Sequence, residues 1–372
     1  MCKSMTIHLI LPSKETFTER NAGAVARIAH DFVIKSRFRD TCLFIGSPIE
    51  EPALSDLPFK SFQSWHRFIW GRNLGLGKAY LSWLKTLPAD QKPKLIEVHG
   101  RCALAGMIAK AVPDIPVALI LYNDPRGMKG ARTVQERTDL CQHLHAVCSI
   151  SDYLDRCFKD GLDTQTLAKC QFHVTLFGAD RPYKTRPSKK KNILLVGRMV
   201  PEKGVKEAAE AVAEILPDHP EWRFQIIGAR RFEQSKQTPY ERAVQSALDK
   251  LGDQAQMLGF MPLAEVNRYQ AEAEIILVPS QWQEPAGRVV IEALVTGAAL
   301  ITSRRGGIPE YAEGRAIILE EPDAPALAQA LSQLLDKPDK RKALQDKAWS
   351  DYPFTHSAMA ADMDKARHKM LA

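Results

Sequence analysis

The apolar positions of this chain fall into short dense runs separated by longer stretches of helical period. Residues 7–11, 42–46, 95–99, 117–122 and 146–150 read as buried strands ending at polar, glycine or proline positions. Helix-length stretches such as 24–37 and 103–111 separate several of them. The second half repeats the style, with strands predicted at 192–196, 223–227, 256–258, 275–278 and 299–301. Helices are predicted there at 205–216, 239–250, 264–271, 289–296 and 324–335. Alternating strands and helices predict parallel sheets covered on both faces, hence an α/β fold class with two doubly wound, Rossmann-like domains. Residues 181–191, rich in proline and charge and without periodicity, read as the linker between them.

Composition agrees with that division. A chain of 372 residues, 45% apolar and 26% charged, suits two soluble globular domains. No apolar run approaches the roughly 20 residues of a membrane helix, and the short run at 7–11 lacks a secretion-signal cleavage pattern. Seven cysteines, all in the first half and with no CxxC pair, point to free thiols in a reducing cytoplasm. They do not suggest a zinc cluster or a disulfide framework. Residues 1–185 hold 25 Lys and Arg against 18 Asp and Glu, whereas residues 186–372 hold 26 of each. The net charge of +7 therefore lies wholly in the first half, where it attracts phosphate-bearing or membrane-surface partners. No nucleic-acid-binding module accompanies it, so nucleic acid is not an expected partner.

In doubly wound sheets ligands bind at the carboxyl ends of the strands. Past the strand at 192–196 come Gly197, Arg198, Glu202, Lys203 and Gly204. A guanidinium fork beside a mobile ammonium suits a diphosphate, although a charged turn also accounts for the pair. Past the strand at 275–278, Glu284 falls in the loop and Glu292 one turn into the next helix. Gly287, between them, permits close backbone approach and leaves first-turn N–H groups free for an anion. The two carboxylates can accept hydrogen bonds from sugar hydroxyls. Taken singly, each is equally a cap or a surface residue.

Glu284 and Glu292, with seven residues between them inside EPAGRVVIEAL, are followed by GAALITSRRGGIPE at 297–310. Together with Gly197-Arg198, Glu202-Lys203-Gly204 and Leu258-Gly259-Phe260, in this order, they resemble the signature of family 4 glycosyltransferases over nearly the whole second half. The resemblance implies two facing Rossmann-like domains with a cleft between them, the GT-B fold, and retention of configuration at the donor's anomeric carbon. It implies residues 1–185 as the acceptor domain, 186–351 as the donor domain, and 352–372 as a helix crossing back to the first. By resemblance, Arg198 and Lys203 bind the donor diphosphate, Glu284 the sugar hydroxyls and Glu292 the ribose. The backbone of Gly287, Arg288 and Val289 meets the distal phosphate and sugar. Gly228 and the turn at Leu258 and Gly259 line the base pocket. No metal or other cofactor is implied, because cations and a helix N-terminus stabilise the leaving diphosphate.

In the first half, Gly23 and Ala24 match the small-residue loop that in this family approaches the donor phosphates. His99 and Arg101 follow one strand, and Tyr122, Asn123 and Asp124 follow the next. They resemble a bacterial branch of the family, except that Tyr122 stands where a histidine is expected. His99, Tyr122, Asp124 and Glu284 are the catalytic candidates, with no residue cast as base, since the leaving phosphate itself takes the proton in transferases of this kind. Residues 65–85 mix tryptophan, aliphatic and basic side chains, as an interfacial helix does, while Gly71, Gly75 and Gly77 weaken its first part. A core helix with aromatics packed inward is the other reading. The expected function is transfer of a hexose or N-acetylhexosamine from a UDP- or GDP-sugar to a lipopolysaccharide, polysaccharide or lipid-linked acceptor, forming an α-glycosidic bond. The expected setting is the cytoplasm, with peripheral contact to the anionic inner face of the membrane. A non-catalytic nucleotide-sugar-binding subunit and a nucleotide-sugar 2-epimerase of the same fold are the alternatives.

Overall fold

A computed structural model of the chain describes residues 7–63, 71–230 and 237–372. These fall into two compact units: the residues up to Gly178 together with His356–Ala372, and Ala179–Thr355. Helices of eight or more residues are numbered in chain order.

The first unit contains β1 (Ile7–Ile10), α1 (Ala24–Ile34), β2 (Cys42–Gly46), β3 (Phe59–Ser61) and α2 (Arg72–Thr86). It continues with β4 (Leu95–His99), α3 (Cys102–Ala111), β5 (Val117–Leu121), α4 (Val134–His143), β6 (Ala146–Ser149), α5 (Asp152–Lys159) and β7 (Gln171–Val174). The sheet is parallel throughout, in the order β3-β2-β1-β4-β5-β6-β7. β1, β4, β5 and β6 are buried at every position, as strands covered by helices on both faces must be. The expected strands are present to within a residue or so; β3 and β7 are additional. Both lie at sheet edges and are only half-buried, so they lack the dense apolar run that marks the others.

α2 forms as one helix despite its glycines. Gly77 is where it meets α3: a Cβ there would lie 2.4 Å from Leu104 Cδ1, so a glycine lets the two helices approach. In the described part of the aromatic segment the rings turn inward. Tyr80 is fully buried and hydrogen-bonds His8 Nδ1 at 2.9 Å, while Trp83 stacks on the His8 ring. Trp65 and Trp70 lie outside the described residues. No described helix is long and apolar enough to cross a membrane. The six described cysteines are free and buried.

The C-terminal helix His356–Leu371 packs on α1 of the first unit and drives one charge into it. Arg367, with no exposed surface, pairs with the equally buried Glu97 of β4 through two bonds of 2.7 and 2.9 Å. It also donates to Phe32 O and Ser36 Oγ, and Ser36 donates to Asp364. Burial pushes the Glu97 carboxyl up, but the charge and hydrogen bonds of Arg367 outweigh it and leave the group at about 2.

The second unit contains β8 (Lys190–Val196), α6 (Val205–Ile215), β9 (Arg223–Ile227), α7 (Pro239–Leu248), β10 (Ala255–Gly259) and α8 (Leu263–Glu272). β11 (Ala273–Val278), α9 (Arg288–Thr296), β12 (Ala299–Ser303), β13 (Ile317–Leu319), α10 (Ala324–Leu335) and α11 (Pro338–Ser350) follow. Its parallel sheet runs β10-β9-β8-β11-β12-β13, with the half-buried edge strand β13 again unforeseen. α7 carries a complete capping box, Thr238 with Glu241. The proline-rich stretch at 181–191 belongs to this unit. There Arg181 lies over the Trp349 ring and Arg186 pairs with Asp346, both partners on α11.

Replacing Arg367 by Met should cost about 3–5 kcal/mol, because it strands a buried carboxylate. Urea unfolding checks this, and the double variant with Glu97→Gln should recover much of the loss. The Glu97 contribution is complete above about pH 4.5 and fades as pH falls toward 2, since its folded value lies below its unfolded one.

Candidate active site

In the second unit the strand order reverses between β8 and β11, so the crevice at their carboxyl ends is where a ligand belongs. The two loops that flank it are tied together. Lys203 Nζ donates to Glu284 Oε1, and Ser280 Oγ donates to the same oxygen at 2.7 Å. The Gln281 N–H reaches Glu202 O at 3.0 Å. Glu284 Oε2 takes no hydrogen bond among the described residues. Two glycines make this closeness possible. Gly204, at φ +65°, lies where a Cβ would come 2.0 Å from Pro279 O; Gly306, at φ +59°, would bring one equally near Glu284 O. Gly307 N then donates to Glu284 O at 2.8 Å, closing a backbone cradle around the acid.

Two cavities open at these strand ends. One, of about 150 Å³, is lined by Lys203, Ser280, Glu284, Gly287, Arg288 and Val289 among others. Gly287, at φ +80°, is the N-cap of α9 and offers no side chain, so first-turn N–H groups of that helix are left to a ligand. The other, of about 200 Å³, is lined by Arg198, Gly228, Arg230, Phe260 and Met261. Val196 and Gly197 form part of both walls. Arg198 therefore lies by the second cavity and Lys203 by the first. Gly228 N donates to Gly259 O at 2.8 Å, and Leu258 and Gly259 are half-buried at the end of β10. Glu292 accepts bonds from Arg288 Nε at 3.0 Å and Gln270 Nε2 at 3.2 Å and does not line the first cavity.

In the first unit the order reverses between β1 and β4. Gly23 caps α1 and Ala24 begins it, but a carboxylate already stands there: Glu15 Oε2 accepts from Ala26 N at 3.2 Å. His99, the last residue of β4, has no exposed surface; its Nδ1 lies 2.7 Å from the Tyr122 hydroxyl and its Nε2 3.6 Å from Glu97 Oε2. Burial lowers the imidazole and raises the phenol, so both are held neutral near pH 7. Asp124 is committed elsewhere. It accepts Arg126 N at 2.9 Å and pairs with the Arg126 guanidinium at 2.7 Å. Burial alone would raise its carboxyl, but the Arg126 bonds outweigh it and hold the group below the usual range.

Three participants carry no role in the sequence reading. Ser280 sits in a loop already singled out, four residues before the acid it holds. Glu97, two residues before His99 and so on the same face of β4, is a carboxylate in an apolar strand, which was the available signal. Arg367 gives none, since 270 residues separate it from Glu97.

Residues 178–350 match the family model described as glycosyl transferases group 1. The spore coat protein SA of Bacillus subtilis is 30% identical over 272 residues, covering 67% of this chain and 71% of that protein. The lipopolysaccharide 1,2-N-acetylglucosaminetransferase of Salmonella typhimurium is 26% identical over 159 residues, 42% of this chain and 39% of that one. The crystal structure of Anabaena Alr3699/HepE in complex with UDP superposes with a TM-score of 0.75 at 16% identity, covering 98% of this chain and 100% of that one. That likeness is one of fold, the GT-B class of two parallel-sheet α/β domains.

Gly306→Ala tests the cradle. The left-handed backbone alone costs about 1–2 kcal/mol, and the clash with Glu284 O adds to it. Gly314→Ala, at φ +70° with nothing nearer than Lys347 Nζ at 3.6 Å, pays the backbone cost only. Urea unfolding should rank Gly306→Ala as clearly the more damaging of the two.

Proposed function

The chain belongs to the group 1 glycosyl transferases and is a transferase enzyme, and on that footing we propose that it moves a hexose or N-acetylhexosamine from a nucleoside diphosphate sugar to a glycan or lipid-linked acceptor of the lipopolysaccharide or polysaccharide kind, with retention of configuration. The observation that carries this reading is the meeting of Lys203, Glu284, Ser280 and the uncapped N-terminus of α9 around one cavity at the strand-order reversal. Cation, carboxylate and free N–H groups are what a phosphorylated, hydroxyl-rich ligand requires together.

In this reading the diphosphate lies between Lys203 and the first turn of α9, and the sugar hydroxyls donate to Glu284. The base occupies the neighbouring cavity between Gly228 and the Phe260–Met261 turn, with Arg198 at its edge. Glu292, once it leaves Arg288, accepts from the ribose. As the acceptor hydroxyl attacks the anomeric carbon, the bond to the diphosphate oxygen breaks on the same face. The charge that builds on the leaving oxygen is met by Lys203 and the α9 N–H groups, and that oxygen takes the hydroxyl's proton. No metal enters the scheme. Ser280 holds Glu284 in position throughout.

The acceptor side rests on the first unit, whose basic surplus suits a partner bearing negative charge. The Salmonella relative is named for a lipopolysaccharide acceptor, and the Anabaena protein was crystallised in complex with UDP, which makes UDP the first nucleotide to test.

A thermal-shift panel of UDP, GDP and their sugars should single out one base, because a ligand that binds the folded chain raises its melting temperature by mass action. With the donor so identified, Glu284→Gln should slow nucleotide release about 10- to 100-fold, the worth of hydrogen bonds to a charged group, while unfolding stays cooperative. Near-normal turnover in that variant contradicts the assignment.

A further inference from the structure

The first unit holds a larger cavity, about 330 Å³, within the ~300–1,000 Å³ typical of small-molecule sites. It lies at the carboxyl ends of the strands, walled by the starts of α2 and α3 and by the loop after β5. Among the described residues its charged lining is cationic: Arg72, Arg101 and Lys129. No carboxylate among the described residues pairs with any of the three. Arg101 spends one N–H on Gly100 O at 2.6 Å and keeps the rest of its fork.

Two of these cations stand where helix electrostatics disfavours them. Arg72 is the first residue of α2, and Arg101 is the N-cap of α3. Both helices lack an acidic residue in the first turn and lack a side-chain cap. Stability alone would place Asp, Ser or Glu at such positions, because the helix N-terminus is itself the positive end of the dipole. Among the described residues nothing negative in the wall offsets this. Cys102 is a neutral thiol, pushed up to about 12 by burial, and the Glu136 carboxylate is spent capping Thr133. Arg72 and Lys129 are exposed and Arg101 half-buried, and positive side chains gathered at two positive helix ends around a cavity favour an anion there.

We propose that this cavity binds a phosphate group carried by the acceptor, so that the enzyme glycosylates a phosphorylated substrate. Arg101 supplies a planar fork, Arg72 and Lys129 supply further donors, and the α2 N-terminus supplies backbone N–H groups, the Ala103 N–H of the first turn of α3 being already given to Lys129 O at 3.2 Å. The volume leaves room for the sugar or glycerol unit that carries the phosphate. The inference rests on the transferase reading above, with which the acceptor belongs to the first unit. The phosphate can come from a soluble sugar or glycerol phosphate or from a phospholipid headgroup, and the chemistry at the three cations is the same.

Calorimetric titration of the full chain with glycerol 3-phosphate, with and without saturating UDP, tests it. Flotation with phosphatidylcholine vesicles doped with phosphatidic acid supplies the lipid arm. Glycerol 3-phosphate should bind, UDP should not displace it, and Arg72→Gln and Lys129→Gln should each weaken it about tenfold. Arg72→Gln should also leave the melting temperature unchanged or raise it, which loss of a structural contact would not do. Vesicle binding that weakens in the same variants places the phosphate on a lipid; soluble binding without it places it on a free phosphate ester. The proposal is overturned if neither probe binds while UDP still raises the melting temperature, if UDP displaces the anion, if both variants bind as the parent does, or if glucuronate binds in place of the phosphate ester. Failure of both UDP and GDP to stabilise the chain would instead count against the donor site.

Discussion

The pairing of Lys203 with Glu284 brings together two loops that belong to different strands and different stretches of chain. Eighty-one positions separate them, and only the parallel pairing of β8 with β11 makes them neighbours. Much of the second unit's active face follows from this contact. It requires a glycine at 204, so that the first loop can pass over Pro279 O, and another at 306, so that the third can cradle Glu284. Three residues on from Glu284, Gly287 caps α9 and leaves the first turn without a side-chain cap. The arrangement suits a charged, hydroxylated ligand, with Ser280 Oγ and the Gly307 N–H holding the acid from behind.

The first unit solves a related problem by different means. Its reversal point is backed by a buried chain of polar groups, Arg367 to Glu97 to His99 to Tyr122, anchored by a helix from the far end of the sequence. Burying that carboxylate is tolerable only because Arg367 arrives with two bonds and its own remaining donors are satisfied. His99 and Tyr122 are thus held neutral, while Arg72, Arg101 and Lys129 line the cavity of this unit.

What could be read from the sequence follows from where the information is local. Central strands such as β4 and β12 are buried on both faces and announce themselves as apolar runs, whereas β3, β7 and β13 are half-buried edges with no such signature. In the second unit the site was legible because its residues sit in two short ordered motifs whose spacing carries the geometry. The separation of Arg198 from Lys203 into adjoining cavities was not, since loop direction after Gly197 decides it. The commitment of Asp124 to Arg126 and the presence of Glu15 at the start of α1 depend on side-chain choices that no spacing encodes. Arg367 was invisible for the simplest reason: its partner is brought to it only by the fold.

The central claim, that the Lys203–Glu284 contact marks the berth of a nucleotide-sugar donor, is tested most directly by a crystal structure of the chain with the nucleotide sugar that stabilises it most. The account predicts the diphosphate between Lys203 and the first turn of α9, sugar hydroxyls on Glu284, and the base beside Gly228 and Phe260. A nucleotide found away from the ends of β8 and β11, with Lys203 and Glu284 still paired and untouched, would contradict it.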